Sequence, residues 1–239
     1  MTDETTRRFD VPLYSVTDAA RHIDVPRSTF ETWVHGYQRR REGRQATSGA
    51  PIVTVIDAPR GEPRIPFIGL AEGFVLAAFR QAGVPLQRIR PAVDDLRRQF
   101  GLAHVLASKS LYTDGAEVLY DYAERRGDTP EAKSARDLVV VRSNQRVFKP
   151  VVEQYLKRID FAPDGWARLL SLPQYGSADV VVDPERSFGE PIFARGGAEV
   201  EAVLGRFKNG EDIASLSTEF NVPEDQVLAA IRVHTATAA

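Results

Sequence analysis

The stretch that decides the fold spans residues 15–37 and reads SVTDAARHIDVPRSTFETWVHGY. Two segments with apolar residues at helical spacing flank a turn at residues 23–26. Thr17 is expected to cap the first helix by accepting an amide hydrogen bond, and Pro26 suits the first position of the second helix. The stretch therefore predicts two short helices joined by a tight turn.

The second of these helices has two different faces. Phe30, Trp33 and Val34 recur at positions i, i+3 and i+4, so they are expected to face a core. The opposite face carries short polar or cationic side chains that could contact base edges and phosphates in a major groove. These are Arg27, Ser28, Thr29 and Thr32, and Thr17 on the first helix is a further candidate DNA contact. The alternative is an ordinary pair of core-packing helices.

Two β-like segments and a group of arginines follow the helix pair. Residues 52–56 alternate apolar and β-branched side chains, and residues 64–67 return as a short second strand after a turn. Two strands in this position would form a wing, although an exposed charged loop is the alternative. The arginines of the wing would suit the phosphate backbone of DNA. They are Arg39, Arg40, Arg41, Arg44, Arg60 and Arg64.

Two more helices are predicted after the wing. Residues 67–80 are apolar almost all round, which indicates a buried helix, and residues 86–100 are amphipathic. The whole order of elements resembles the MerR-like winged-helix domain. Residues 25–33 (VPRSTFETW) resemble the recognition helix of that family, and residues 80–89 (RQAGVPLQRI) resemble its later inter-helix turn. The resemblance implies a DNA-binding domain over residues 1–102, but Glu31 stands where that family usually has an arginine.

The composition narrows the function classes. The chain has 239 residues, 43% of them hydrophobic, and no cysteine, which excludes disulfides and thiolate metal sites. No apolar run approaches the length of a membrane span, and the polar N-terminus is unlike a signal peptide, so a cytoplasmic protein without a membrane partner is expected. Residues 1–100 contain 15 Lys and Arg against 12 Asp and Glu, whereas the remaining residues are net acidic.

The middle of the chain, residues 103–178, predicts a small mixed β region crossed by one helix. Residues 112–116 read as a turn and residues 125–136 as an exposed loop. Strands are expected at residues 137–142, 146–148 and 166–172, the first two as a hairpin, and a helix begins at Pro150.

Residues 179–239 predict a strand followed by a helix-turn-helix-like domain of three helices, at residues 198–207, 211–220 and 224–233. Glu224 and Asp225 at the start of the third helix would be repelled by phosphate. They favour a protein-binding or dimerising module over a second DNA reader, with a purely stabilising cap as the alternative.

Residues 179–233, which include VVVDP, FGEPIF and GEDIASL, are similar to the antitoxin-associated domain of unknown function four-three-three. With the N-terminal winged helix, the arrangement resembles a VapB-type antitoxin of a VapBC toxin–antitoxin pair. The resemblance implies a protein that binds operator DNA, represses its own operon and neutralises a PIN-domain ribonuclease toxin encoded next to it. A homodimer is expected because one winged helix reads too short a DNA site, although no long heptad helix follows for the coiled-coil dimer usual among MerR-like proteins. The alternative is a MerR-like transcription regulator without a toxin partner, one that responds to an effector.

The expected fold class is α+β, mainly helical. No enzyme activity and no cofactor are expected, because the four histidines lack metal-ligand spacing and no phosphate-binding loop or nucleophile motif occurs. A candidate toxin contact is the segment at residues 193–197, where Arg195 could pair with a carboxylate; the alternative is that Phe188 and Phe193 pack a core. The full candidate set for the toxin is Phe193, Arg195, Arg206 and Lys208.

Overall fold

The computed structural model describes residues 4–39, 47–59, 61–142 and 145–237. The protein is α+β and mainly helical, as predicted. In the first half of the chain the α-helices are α1 (Glu4–Asp10), α2 (Val16–His22), α3 (Arg27–His35), α4 (Phe67–Gln81), α5 (Leu86–Phe100) and α6 (Lys109–Arg126). In the second half they are α7 (Pro130–Arg136), α8 (Pro150–Leu156), α9 (Val200–Lys208), α10 (Ile213–Phe220) and α11 (Glu224–Thr237).

The strands form three antiparallel sheets in the described ranges. β1 (Tyr37–Arg39) pairs with β2 (Thr47–Gly49), and β3 (Val139–Arg142) pairs with β4 (Gln145–Phe148). The third sheet has the order β5 (Ile159–Phe161), β6 (Ala167–Ser171), β7 (Val180–Val182) and β8 (Ile192–Phe193). Short 3-10 turns lie at Val105–Ala107, Pro173–Tyr175 and Ser187–Gly189.

The central element is α4. Residues 67–79 are all buried, because helices, strands and the N-terminal segment pack around this apolar helix. Gly73 allows α3 to approach closely, since a Cβ at Gly73 would lie 2.6 Å from the ring of Phe30. The helix-turn-helix is thereby fixed to the centre of the molecule rather than attached through a linker.

The predicted helix pair is confirmed, with one correction to its cap. Phe30, Trp33 and Val34 are buried, so the apolar face of α3 faces the core as expected. The predicted N-cap Thr17 is wrong: Ser15 is the N-cap, and its Oγ accepts a hydrogen bond from the Asp18 amide at 3.1 Å.

The predicted position of the wing strands is wrong. The strands are β1 and β2, whereas residues 52–56 and 64–67 form no sheet with each other. One backbone hydrogen bond joins the two segments, from the Ile56 amide to the Arg64 carbonyl at 2.8 Å. Helices satisfy the rest of the first segment: the Ile52 amide donates to the Trp33 carbonyl at 2.9 Å, and the Thr54 amide donates to the Glu72 carboxylate at 2.6 Å. The alternating pattern therefore reflects burial against α3 and α4, not a ladder.

Two predictions for the middle region are also wrong. The turn expected at residues 112–116 lies inside α6, where Gly115 packs against Leu111 and Phe148. The loop expected at residues 125–136 contains α7, which Thr129 caps by accepting from the Ala132 amide at 3.2 Å. The hairpin β3–β4 and the helix beginning at Pro150 are confirmed.

The last sheet joins the middle region to the C-terminal part. Leu170 of β6 pairs with Val182 of β7, so hydrogen bonds cross the boundary predicted between residues 178 and 179. The three C-terminal helices form as predicted. Among the residues placed in the structure, no helix has the length and apolar character needed to cross a membrane.

Candidate functional site

The exposed face of α3 is polar, as the sequence predicts. Arg27 and Ser28 are exposed, and Thr29 and Thr32 are partly exposed. The Arg27 Nε lies 3.0 Å from the Glu31 Oε1, and Thr32 Oγ1 donates to the Ser28 carbonyl at 2.9 Å. Arg27 is therefore accessible to DNA but is held by a carboxylate of its own helix.

A hollow of about 450 Å³ lies between α3 and the start of α5. Ser28, Thr29 and Thr32 line one side, and cationic or polar side chains line the other: Arg80, Gln87 and Arg90. Helix N-termini and cations both favour phosphate. The hollow is consequently a surface where polar groups of α3 and positive charge face the same space.

Three further arginines, on α4 and α5, were not among the DNA contacts predicted from the sequence. The side chains of Arg80 and Arg88 are exposed and make no hydrogen bond or ion pair with any described residue. Arg90 lies over the Tyr37 ring at 5.6 Å and donates to the Ala50 carbonyl, while its Nε and Nη2 have no partner among the described residues. Burial lowers the pKa of Arg90. Arginines recur in residues 80–90 around a helix start, but this local pattern does not place them beside α3.

The other predicted DNA contacts are more scattered. Thr17 is exposed on α2. Arg64 does not lie on a wing strand; it precedes the Tyr14–Ile65 bridge, and its Nη2 donates to the Ala58 carbonyl at 3.3 Å. Arg39 belongs to β1. Four predicted contacts lie outside the described residues: Arg40, Arg41, Arg44 and Arg60.

Two of the predicted toxin contacts are unsuited to that role. Phe193 is 0% exposed and packs in the hydrophobic core, so the prediction of an exposed Phe193 is wrong. Arg206 is bound by two carboxylates, Glu211 at 2.6 Å and Glu219, and it lies over the Phe220 ring at 5.3 Å. These hydrogen bonds raise the pKa of Arg206 and fix it as a link between α9 and α10.

Among the residues considered for the toxin contact, Arg195, Lys208 and above all Phe188 are exposed. Phe188 is 84% exposed, so the alternative of a core role holds for Phe193 but not for Phe188. Ser187 and Phe188 both have positive φ angles, 44° and 50°, a conformation that costs about 1–3 kcal/mol for a non-glycine residue. The Tyr14 hydroxyl donates to the Gly189 carbonyl at 2.9 Å, and this hydrogen bond stabilises the turn.

Two of the histidines, His22 and His104, are held by contacts within the fold. His104 Nδ1 lies 2.8 Å from Thr54 Oγ1 and 3.3 Å from the buried Glu72 carboxylate. His22 is buried beside Tyr14. Within the ranges that the structure describes, no group of three or more acidic or histidine side chains could hold a metal ion.

Comparison with known families agrees with this geometry. Residues 12–93 match a family described as "Putative DNA-binding HTH domain", and residues 180–232 match "Protein of unknown function (DUF433)". Fold and matches together define a protein with an N-terminal helix-turn-helix DNA-binding domain and a C-terminal DUF433 module.

Relatives over nearly the full length define the family more closely. The chain is 48% identical over 226 residues to "Putative antitoxin VapB45" of Mycobacterium tuberculosis (strain ATCC 25618 / H37Rv), covering 94% of each sequence. It is 23% identical over 231 residues to "Uncharacterized protein Rv2308" of the same strain, covering 95% of this chain and 91% of that one. The X-ray crystal structure of Rv2018 from Mycobacterium tuberculosis matches with a TM-score of 0.83 and 45% identity, covering 94% of this chain and 99% of that chain. The chain belongs to the VapB-type antitoxin family.

Proposed function

We propose that this protein represses its own operon by binding operator DNA through α3, and neutralises a PIN-domain ribonuclease toxin encoded by the neighbouring gene. The observation that carries the DNA part is the exposed polar face of α3 beside Arg80 and Arg90. The C-terminal part is net acidic and begins α11 with Glu224 and Asp225, which disfavours it as a second DNA reader.

The polar residues of α3 and the arginines of α4 and α5 have different roles in this proposal. Arg27, Ser28 and Thr29 lie at the N-terminal end of α3, the part of a recognition helix that contacts base edges. Arg80 lines the other side of the hollow, and Arg88 lies in the first turn of α5. Neither side chain forms an ion pair with a described residue, so both suit phosphates. Base contacts specify the operator, while phosphate contacts supply affinity without specificity.

The DNA part is tested by fluorescence anisotropy with a labelled fragment from upstream of the gene. Arg27→Ala should weaken operator binding at least about tenfold and relax specificity. Arg80→Ala should weaken operator and unrelated DNA alike and lower the salt slope by about one. The control is Arg168→Ala, which removes an arginine of β6 that is paired with Asp160 of β5. Unchanged binding in both test variants, with the fold intact, would remove α3 as the DNA-reading element.

The toxin contact is proposed at three exposed residues: Phe188, Arg195 and Lys208. An exposed aromatic ring on a rigid turn is the kind of residue that anchors protein interfaces. Arg195 can pair bidentately with a carboxylate. The segment after it is packed closely against the end of α10, since a Cβ at Gly196 would lie 2.2 Å from the Phe220 carbonyl oxygen. Acidic residues surround the metal of a PIN-type nuclease, so an exposed arginine and lysine are matched in charge to that pocket.

This contact is tested by pull-down with the purified toxin. Phe188→Ser and Arg195→Glu should each reduce capture at least tenfold. Val141→Ser is the control, since Val141 is also a well-exposed apolar residue but lies on the β3–β4 hairpin. Point variants are preferred to deletion after residue 178, because the deletion would break the β6–β7 pairing. Full capture by both test variants would move the toxin contact elsewhere.

The proposal includes a homodimer. One recognition helix contacts too few base pairs for operator specificity, and a twofold dimer would bind an inverted repeat with half-sites about one helical turn apart or a multiple of it. Light scattering of the free protein and of its operator complex measures this directly. A monomer in both conditions would contradict the dimer.

A further inference from the structure

A cavity of about 820 Å³ lies where the helix-turn-helix meets the C-terminal part of the chain. One wall comes from the end of α2 and the turn after it. The opposite wall comes from the Pro173–Tyr175 turn, the segment before β8, and the ends of α9 and α11 that face α2. The volume is within the range of small-molecule sites, which occur preferentially where separate parts of a fold meet.

Two polar atoms in the cavity wall have no hydrogen-bond partner among the described residues. They are the Nε2 of His22 and the Oε1 of Gln174. The side chain of His22 is 3% exposed, and the nearest carboxylate oxygen, Glu190 Oε2, lies 3.5 Å from its Nε2. Gln174 uses its amide nitrogen to donate to the His22 carbonyl at 2.6 Å, so its oxygen is left as an acceptor. Buried polar atoms without partners are rare in folded proteins and call for an explanation.

The charge of the lining is negative. Asp24, Glu190, Glu199 and Glu201 contribute carboxylates, and Arg21 is the single lysine or arginine among the lining residues. Arg21 is already paired with Asp18 and with Glu201, at 3.3 Å each. Burial and then the nearby Asp18 raise the pKa of Glu190, and Glu199 and Glu201 act in the same direction. These carboxylates therefore repel one another with only one cation to balance them.

The rest of the lining is apolar or aromatic. The Tyr175 and His234 rings lie 6.2 Å apart, and Val25, Val200 and Val233 supply aliphatic surface. Burial lowers the pKa of His22 to about 4 and also lowers that of His234, so both rings are neutral near pH 7. A neutral ring beside a tyrosine face favours a cation with an apolar body.

We propose that this cavity binds a small organic cation, an aliphatic amine or guanidine whose charged end donates hydrogen bonds to Glu190 and to the acceptors of Gln174 and His22. When His22 carries its proton on Nδ1, its Nε2 and the Gln174 Oε1 are both hydrogen-bond acceptors without a partner among the described residues. Both therefore suit a ligand that donates hydrogen bonds. An anion would meet four carboxylates. A bare metal ion is disfavoured, because no suitable ligand group exists among the residues described. The lining includes no residue of α3 and none of Phe188, Arg195 and Lys208, so the site does not depend on the proposed DNA or toxin contacts.

The test is isothermal titration calorimetry of the full chain with 1,4-diaminobutane and agmatine as probes. Two matched compounds serve as controls: 1,4-butanediol, which is uncharged, and glutarate, which carries the opposite charge. The proposal expects saturable one-site binding of at least one cation and none of either control. Glu190→Gln, which keeps the side-chain volume, should weaken that binding about tenfold to a hundredfold.

Two further variants keep the result interpretable. Val233→Phe should reduce binding by filling the cavity, and circular dichroism checks that it folds. Asp128→Asn removes a carboxylate from the exposed segment between α6 and α7 and should bind like the wild type. Absence of binding for both cations in the wild type would overturn the proposal. Equal binding by wild type, Glu190→Gln and Val233→Phe would also overturn it, because the cation would then sit elsewhere.

Discussion

Replacing Glu31 with Gln should strengthen DNA binding, which is unusual for a change in a recognition helix. Glu31 lies one turn after Arg27 on the exposed side of α3, and its carboxylate is 3.0 Å from the Arg27 Nε. The carboxylate has two effects against DNA. It holds Arg27 in an intramolecular ion pair, and it places a negative charge where phosphates would approach.

The size of the effect follows from these two contributions. Exposed i, i+4 ion pairs are worth about 0.3–0.5 kcal/mol, and the side chains of Arg27 and Glu31 are 65% and 42% exposed. Repulsion between a carboxylate and one phosphate at about 6 Å in water is about 0.7 kcal/mol before screening by salt. Together they give about 1 kcal/mol, which is about a fivefold gain in affinity.

The measurement is anisotropy of a labelled operator fragment at two salt concentrations. Glu31→Gln should bind about fivefold more tightly at the lower salt concentration, with a smaller gain at the higher one. Glu153→Gln is the matched control, since Glu153 forms an i, i+4 pair with Lys157 on α8 at 2.7 Å, and DNA affinity should not change. If Glu31→Gln bound DNA equally or more weakly, Arg27 and Glu31 would not face the DNA.

Three further outcomes are expected. Phe193→Ala should lower the free energy of unfolding by about 3–5 kcal/mol, whereas Phe188→Ala should change it by less than about 0.5 kcal/mol; urea denaturation distinguishes them. Arg206→Ala should leave toxin capture in the pull-down unchanged, because its guanidinium is already bound by Glu211 and Glu219; a loss of capture with the fold intact would contradict this. Since the pKa of His22 falls from 6.5 to about 4 on folding, the unfolded chain binds the extra proton, and stability should decrease as pH falls through this interval by up to about 3 kcal/mol. His22→Gln should flatten that part of the plot of unfolding free energy against pH, and an unchanged plot would contradict the prediction. The raised pKa of Glu190 increases stability as pH falls, and this contribution remains in the variant.

The helices were predictable from sequence where one face alone is buried. Phe30, Trp33 and Val34 repeat at helical spacing because α3 has a solvent side, and the three C-terminal helices have the same property. The strand predicted at residues 52–56 was wrong because an irregular segment that is partly buried against helices can be as rich in β-branched and apolar residues as a strand. Gly115 misled for a related reason: it permits close packing of α6 rather than a turn.

The candidate sites were predictable only in part. Residues on one helix, such as Arg27 and Ser28, share a face by periodicity alone. Arg80 and Arg90 join that face only because α4 and α5 pack beside α3, and no local pattern encodes this. The exposure of Phe188 and the burial of Phe193 depend on the pairing of β8 with β7, a non-local contact that the glycine-rich sequence around both residues does not reveal.

The most direct test of the central claim is RNA cleavage by the neighbouring gene product. The purified nuclease is incubated with a labelled RNA and a divalent metal ion, and increasing amounts of this protein are added. We predict that cleavage stops near equimolar wild-type protein and continues when the Phe188→Ser variant is added instead. The Val141→Ser variant should inhibit cleavage like the wild type. Undiminished cleavage at a large excess of the wild-type protein would contradict the claim that this chain neutralises a PIN-domain toxin.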